Sequence, residues 1–155
     1  MDNTYTRLTR LGFRPEKERT ERTALSVAEA GKTYRVEWNG RKPSSAFPID
    51  GHIINDGARC DKLIVVEDIT DEGGWADTFV ELKGRDVPHA VEQLEATLKS
   101  ALFRTSRATK TRARIVSASM PSSRNSPEWE RAQRRFMQAY GCELKRMKSQ
   151  QPDRL

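Results

Sequence analysis

Leu63-Ile64-Val65-Val66 places four apolar residues in succession, too many for a strand with one wet face. The run predicts a strand covered on both sides, so the chain must build a sheet with a layer against each face. Asp61 opens this run. A second β-favouring run, Thr78 to Leu82, carries Glu81, with Lys83 just beyond it. Residues two apart on a strand share a face, so Phe79, Glu81 and Lys83 line up together. A face that begins apolar and ends charged reads as the rim of a cleft. Burying charge there is costly unless an ion or a phosphate answers it. If the two strands pair, Asp61 approaches Glu81 and two carboxylates converge beside one ammonium.

The surrounding pattern supplies the rest of a sheet. Thr33 to Trp38 alternates as a half-buried strand, and Asn39-Gly40 predicts a turn after it. Arg41 to Pro48 reads as a loop, and His52-Ile53-Ile54 as a short strand. Asp56-Gly57 predicts a hairpin turn into the strand at 59–66. Arg14 to Arg22 alternates charges and reads as a short helix or a mobile arm. Ala24 to Ala30 is ambiguous between helix and strand.

Val87 to Phe103 is the clearest helix, with Asp86 as cap and Pro88 in its first turn. Its stripe is Val91, Leu94, Leu98, Ala101 and Leu102. Ala113 to Ala118 predicts another strand. Pro127 to Tyr140 predicts a helix stopped by Gly141, with a core face of Trp129, Ala132, Phe136 and Tyr140. Cys142 to Met147 reads as an edge strand. The expectation is one α/β domain over 1–148, with its core at about 34–141 and a flexible tail at 149–155. Its central mixed β-sheet is flanked by helices as a three-layer sandwich.

The chemistry of the acidic pair is specific. Mg²⁺ prefers oxygen ligands and takes one or two carboxylates while keeping several waters. Asp61 and Glu81 are the candidate ligands, with the backbone carbonyl of Leu82 as a third oxygen. Lys83 would stand near the attacking water or a phosphate oxygen.

Asp61, about twenty residues of hairpin, then Glu81-Leu82-Lys83 resembles the Asp…Glu-X-Lys signature of the PD-(D/E)XK nuclease superfamily. The superfamily includes restriction endonucleases and Holliday-junction resolvases. The resemblance covers roughly Ile53 to Ala118. It implies a restriction-endonuclease-like fold and Mg²⁺- or Mn²⁺-dependent hydrolysis of phosphodiester bonds, most naturally in DNA. It also implies that Gln93, on the helix after the strand, orients the water or the lysine. A homodimer with one site per strand accords with it. Cys60 stands where the Pro of the superfamily's name would be. The resemblance further implies a glutamate on an N-terminal helix. Glu16, Glu18, Glu21 and Glu29 are the candidates, and spacing does not choose among them.

Charge supplies the partner. The chain of 155 residues has a net charge of +6, unevenly spread. Residues 1–80 carry 12 basic and 14 acidic side chains, and residues 81–155 carry 16 and 8. Lys99, Arg104, Arg107, Lys110, Arg112 and Arg114 fall within sixteen residues that contain no acid. Such a run predicts phosphate contacts, which fix position without reading base sequence. Arg131, Arg134 and Arg135 extend it. The rival reading is a non-catalytic nucleic-acid-binding subunit using the same fold, marked by salt-sensitive binding without metal dependence.

Two scattered cysteines and two histidines form no zinc pattern. No apolar run approaches the ~20 residues that span a bilayer. A cytoplasmic protein with no membrane partner is expected. His89 reads as a helix-start residue, Cys60 as a buried small hydrophobe, and Asp50 as a turn residue within reach of the metal site. Trp75 is the tryptophan expected to be exposed.

Overall fold

The computed structural model describes residues 2–55, 57–82, 86–117 and 126–155. The chain is α/β, and the described residues form three helices and a mixed seven-stranded sheet. Helix α1 spans Thr4–Arg10, followed by strands β1 (Lys17–Glu29), β2 (Lys32–Pro48), β3 (Lys62–Val66) and β4 (Ala76–Glu81). Helix α2 (Val87–Lys99) leads to β5 (Lys110–Ser117), and α3 (Pro127–Tyr140) to β6 (Cys142–Lys148) and β7 (Pro152–Arg154). The order across the sheet is β1-β2-β3-β4-β5-β6, with β7 beside β2. The β4–α2–β5 and β5–α3–β6 crossovers make parallel pairs, and the hairpins before them are antiparallel.

Two cores lie on opposite faces of this sheet. All three helices feed the first, through Leu8 of α1, Leu94 and Leu98 of α2, and Trp129 and Phe136 of α3. They meet Leu63, Val65, Phe79 and Ile115 of the sheet. The second core joins Ile64, Val66, Val80 and Val116 to Leu25, Val27, Tyr34, Val36 and Trp38 of the β1–β2 hairpin. So β3 is covered on both faces, as its unbroken apolar run requires. The cover differs from expectation: helices lie on one face only, and the folded-over hairpin seals the other.

That hairpin depends on an irregularity read as a turn in the sequence. Asn39 and Gly40 lie inside β2, not at its end. The register slips here, since Arg22 pairs with Lys42 whereas Ala24 pairs with Glu37. Gly40, at φ 75°, takes the left-handed conformation this bulge needs. Trp38 Nε1 bonds the Arg22 carbonyl across the slip at 2.8 Å. Residues 41–48, expected as loop, continue the strand, and Ser44 to Pro48 pair with β3. The charged stretch 17–22 is the exposed outer half of β1 rather than a helix or an arm.

Both later helices follow their sequence signals. Asp86 caps α2 by accepting from the His89 N–H, and Gly141 ends α3 at φ 57°. Helix α2 is shorter than expected, ending at Lys99. The expected flexible tail is instead ordered: β7 pairs with Arg35 to Glu37 of β2. The expected turn residue Asp56 lies outside the described residues, and Ile54 forms only an isolated bridge with Asp50. Among the described residues no helix is long and apolar enough to cross a membrane.

Asp77, on β4, ties three segments together. Its Oδ2 accepts from Thr4 Oγ1 of α1 at 2.6 Å and from Ser106 Oγ at 2.9 Å. Trp75 Nε1 in turn donates to Thr4 Oγ1 at 3.0 Å, and Trp75 is buried rather than exposed. Burial of the Asp77 carboxyl outweighs these hydrogen bonds and pushes its pKa up to about 6. The folded state therefore holds this proton more tightly than the unfolded chain. Its contribution to stability is full below about pH 4 and is lost as pH rises through about 6. Asp77→Asn should gain on the wild type by roughly 2–3 kcal/mol between pH 4 and pH 7 in paired denaturant titrations. A difference that stays flat across that range would contradict the assignment.

Candidate active site

The sheet brings Asp61 to Glu81 through hydrogen bonds on either side of Glu81. The Asp61 N–H donates to the Val80 carbonyl at 3.1 Å. Asp61 Oδ2 accepts from the Leu82 N–H at 2.8 Å. The aspartate is thus stapled to the residues before and after Glu81, just outside the regular ladder in which Lys62 pairs with Val80. Glu81 follows Phe79 on the helix-covered face and lies in register with Ile115 of β5. Asp61 is 3 % exposed and Glu81 2 %.

Cys60 reports the field of both acids. Burial pushes its thiol pKa up against the Thr97 hydrogen bond, and the charges of Glu81 and Asp61 push it further. Cys60 is fully buried, as its small apolar character suggests.

Helix α2 holds this strand end through Thr97. The Cys60 N–H donates to Thr97 Oγ1 at 2.9 Å, and Thr97 Oγ1 donates to the Gln93 carbonyl at 2.9 Å. Ala90, Gln93 and Thr97 share one helical stripe, and Gln93 is half-buried on it. Gln93 thus stands one turn from the contact that fixes Cys60-Asp61. Ile49 supports the same point from just beyond β2, its N–H donating to the Asp61 carbonyl at 2.9 Å. The adjacent Asp50 bonds Arg59 at 2.6 Å. His89 is exposed at the start of α2. Lys83 lies outside the described residues.

The donors here are all oxygen, which suits a hard divalent ion. Asp61, Glu81 and the Leu82 carbonyl could hold it. Among the described residues no group of three or more His, Cys, Asp and Glu gathers as a metal site. Two carboxylates match what Mg²⁺ commonly takes from a protein. The site stands at the carboxyl ends of β4 and β5, where ligands of open α/β sheets bind. Both carboxylates are buried.

The N-terminal glutamate expected as an additional ligand does not stand on a helix. Helix α1 contains no acid. Glu16 and Glu29 instead bind Lys62 Nζ, at 2.7 and 3.3 Å. Lys62 follows Asp61 in the chain and pairs with Val80, whose side chain enters the hairpin-side core. The sequence reading missed this lysine, since one charge opening an apolar run gives no sign of its partners.

The basic run divides in two. Lys99, Arg104, Arg107 and Lys110 are exposed. Arg112 and Arg114 are not surface residues: they are 5 % and 1 % exposed and point into the protein. Arg114 Nε donates to Asp153 Oδ2 at 2.7 Å, and Arg112 Nη2 to the same oxygen at 3.1 Å. Tyr34 donates its hydroxyl there as well, at 2.6 Å. These two arginines dock β7, and their expected phosphate role is withdrawn. In α3, Arg134 and Arg135 are exposed, with Arg135 paired to Glu95 at 3.1 Å.

Lys99 and Arg104 share a cavity with Asp77, so these cations and Lys110 lie toward the start of β4, away from the acids. Lys110 pairs with Ala76 at the start of β4, five residues from Glu81. That is roughly 16 Å along a strand, about five nucleotide steps of B-form DNA. Comparison with family models, with curated proteins and with solved structures gives no match.

Proposed function

We propose that the chain is a metal-dependent endonuclease of the PD-(D/E)XK type, acting on DNA. One observation carries the reading: Asp61 is bonded to β4 on both sides of Glu81, so two buried carboxylates share one strand end. A Mg²⁺ or Mn²⁺ ion bound there supplies an activated water and neutralises phosphoryl charge. The Leu82 N–H fixes the orientation of the Asp61 carboxylate. The Glu-X-Lys signature assigns Lys83 the role of stabilising charge that develops on the phosphate. Gln93 orients the attacking water from α2. Lys99, Arg104, Arg107 and Lys110 hold the strand by its phosphates, about five nucleotide steps away.

The test incubates the purified protein with plasmid, junction and single-stranded substrates, with Mg²⁺, with Mn²⁺ and with chelator. Cleavage is expected only with metal, and cleavage that persists in chelator refutes the assignment. The second reading is a non-catalytic nucleic-acid-binding subunit. It is favoured by the fact that the described residues gather no group of three metal-ligating side chains. It expects no cleavage, and binding that is equally tight with and without Mg²⁺. Four phosphate contacts would give a slope of log K against log salt of about −3.6 on duplex DNA.

A further inference from the structure

A cavity of about 490 Å³ opens on the helix face at the far end of β4 from Glu81. Its wall includes Asp77 and Ser106, and its sides carry Phe103 and Tyr140. Lys99 and Arg104 also line it, both exposed and neither ion-paired among the described residues. Thr4 and Ser106 hold one oxygen of Asp77. The other, Oδ1, is buried without a hydrogen-bond partner among the described residues. A buried acceptor left this way costs free energy that a donor would recover.

The arrangement is two-ended. The inner end offers a carboxylate and takes N–H donors; the outer end offers two cations and takes an anion. Phe103 and Tyr140, which also line the cavity, suit a flat ring. We propose that this cavity binds one nucleoside monophosphate unit, base toward Asp77 and phosphate on Lys99 and Arg104. A base supplies N–H donors on its Watson–Crick edge, and its phosphate lies at the opposite end of the molecule. The volume falls within the range of small-ligand sites. The unit is either a free nucleotide or an unpaired nucleotide of a strand. The site stands apart from Asp61 and Glu81, so the inference does not rest on the nuclease reading.

Calorimetric titration of the full chain with CMP, cytidine and inorganic phosphate tests it. CMP is expected to bind at least tenfold more tightly than either fragment. The double variant Lys99→Ala/Arg104→Ala, at exposed positions, should lose at least tenfold for CMP and leave cytidine unchanged. Asp77→Asn should weaken CMP and cytidine alike. Glu81→Ala should leave all three affinities untouched, even if no cleavage is ever found. CMP that displaces a single-stranded oligonucleotide identifies the strand as the source. CMP that binds without displacing it identifies the free nucleotide. CMP binding no tighter than phosphate, or unaffected by the rim variant, overturns the proposal.

Discussion

Glu81→Ala is expected to lower metal-dependent strand cleavage by at least about a thousandfold, with the fold retained. The change removes one of the two carboxylates that share the end of β4. What remains is Asp61, still fixed by the Val80 carbonyl and the Leu82 N–H. Losing one of two carboxylate ligands weakens the hold on a hydrated Mg²⁺ and misplaces the water it would activate. Affinity for nucleic acid without metal should not change, because the exposed cations stand roughly 16 Å off along the strand. Glu81→Gln keeps the shape of the side chain and removes only its charge, so it separates packing from chemistry. Activity close to wild type in either variant would show that the acidic pair does not perform hydrolysis.

Asp153→Ala is expected to destabilise the protein by about 3–5 kcal/mol in denaturant unfolding. Asp153 is 4 % exposed and accepts from Arg112, Arg114 and Tyr34 through one oxygen. Removing it leaves the buried Arg112 guanidinium without its ion-pair partner and leaves Arg114 only the half-exposed Glu143. Burial raises the Asp153 pKa, but the Tyr34 and Arg114 hydrogen bonds and both arginine charges outweigh it and hold it below the ordinary range. Its contribution is therefore present above about pH 4 and lost as pH falls further. Glu143→Ala supplies the contrast. Glu143 binds the same Arg114 at 2.7 Å, but its side chain is 58 % exposed, so its loss should cost no more than about 1 kcal/mol. Equal effects of the two substitutions would refute the view that burial decides which acid anchors β7.

The contrast between these two acids also shows what the sequence made legible. Local periodicity and capping served for α2 and α3, where Asp86 marks the start of one and Gly141 the end of the other. The apolar run at Leu63 required cover on both faces and received it. Asp61 and Glu81 were readable as neighbours because hairpin-linked strands pair locally. Arg112 and Arg114 were misread because their partner lies about forty residues on, in a segment too polar to announce a strand. That segment is ordered by backbone pairing and one buried carboxylate, neither of which leaves an apolar pattern. The Asn39-Gly40 pair failed for a different reason. A left-handed glycine serves a bulge as well as a turn, and only the pairing of β1 with β2 decides which. Helices on both faces were expected because no local signal shows a hairpin folding across the sheet.

The most direct test of the acidic pair is a crystal of the protein soaked in Mn²⁺, measured for anomalous scattering. The account predicts one strong peak bound by Asp61, Glu81 and the Leu82 carbonyl, absent in Glu81→Ala crystals. A peak elsewhere, or none at that strand end with the metal in excess, would contradict it.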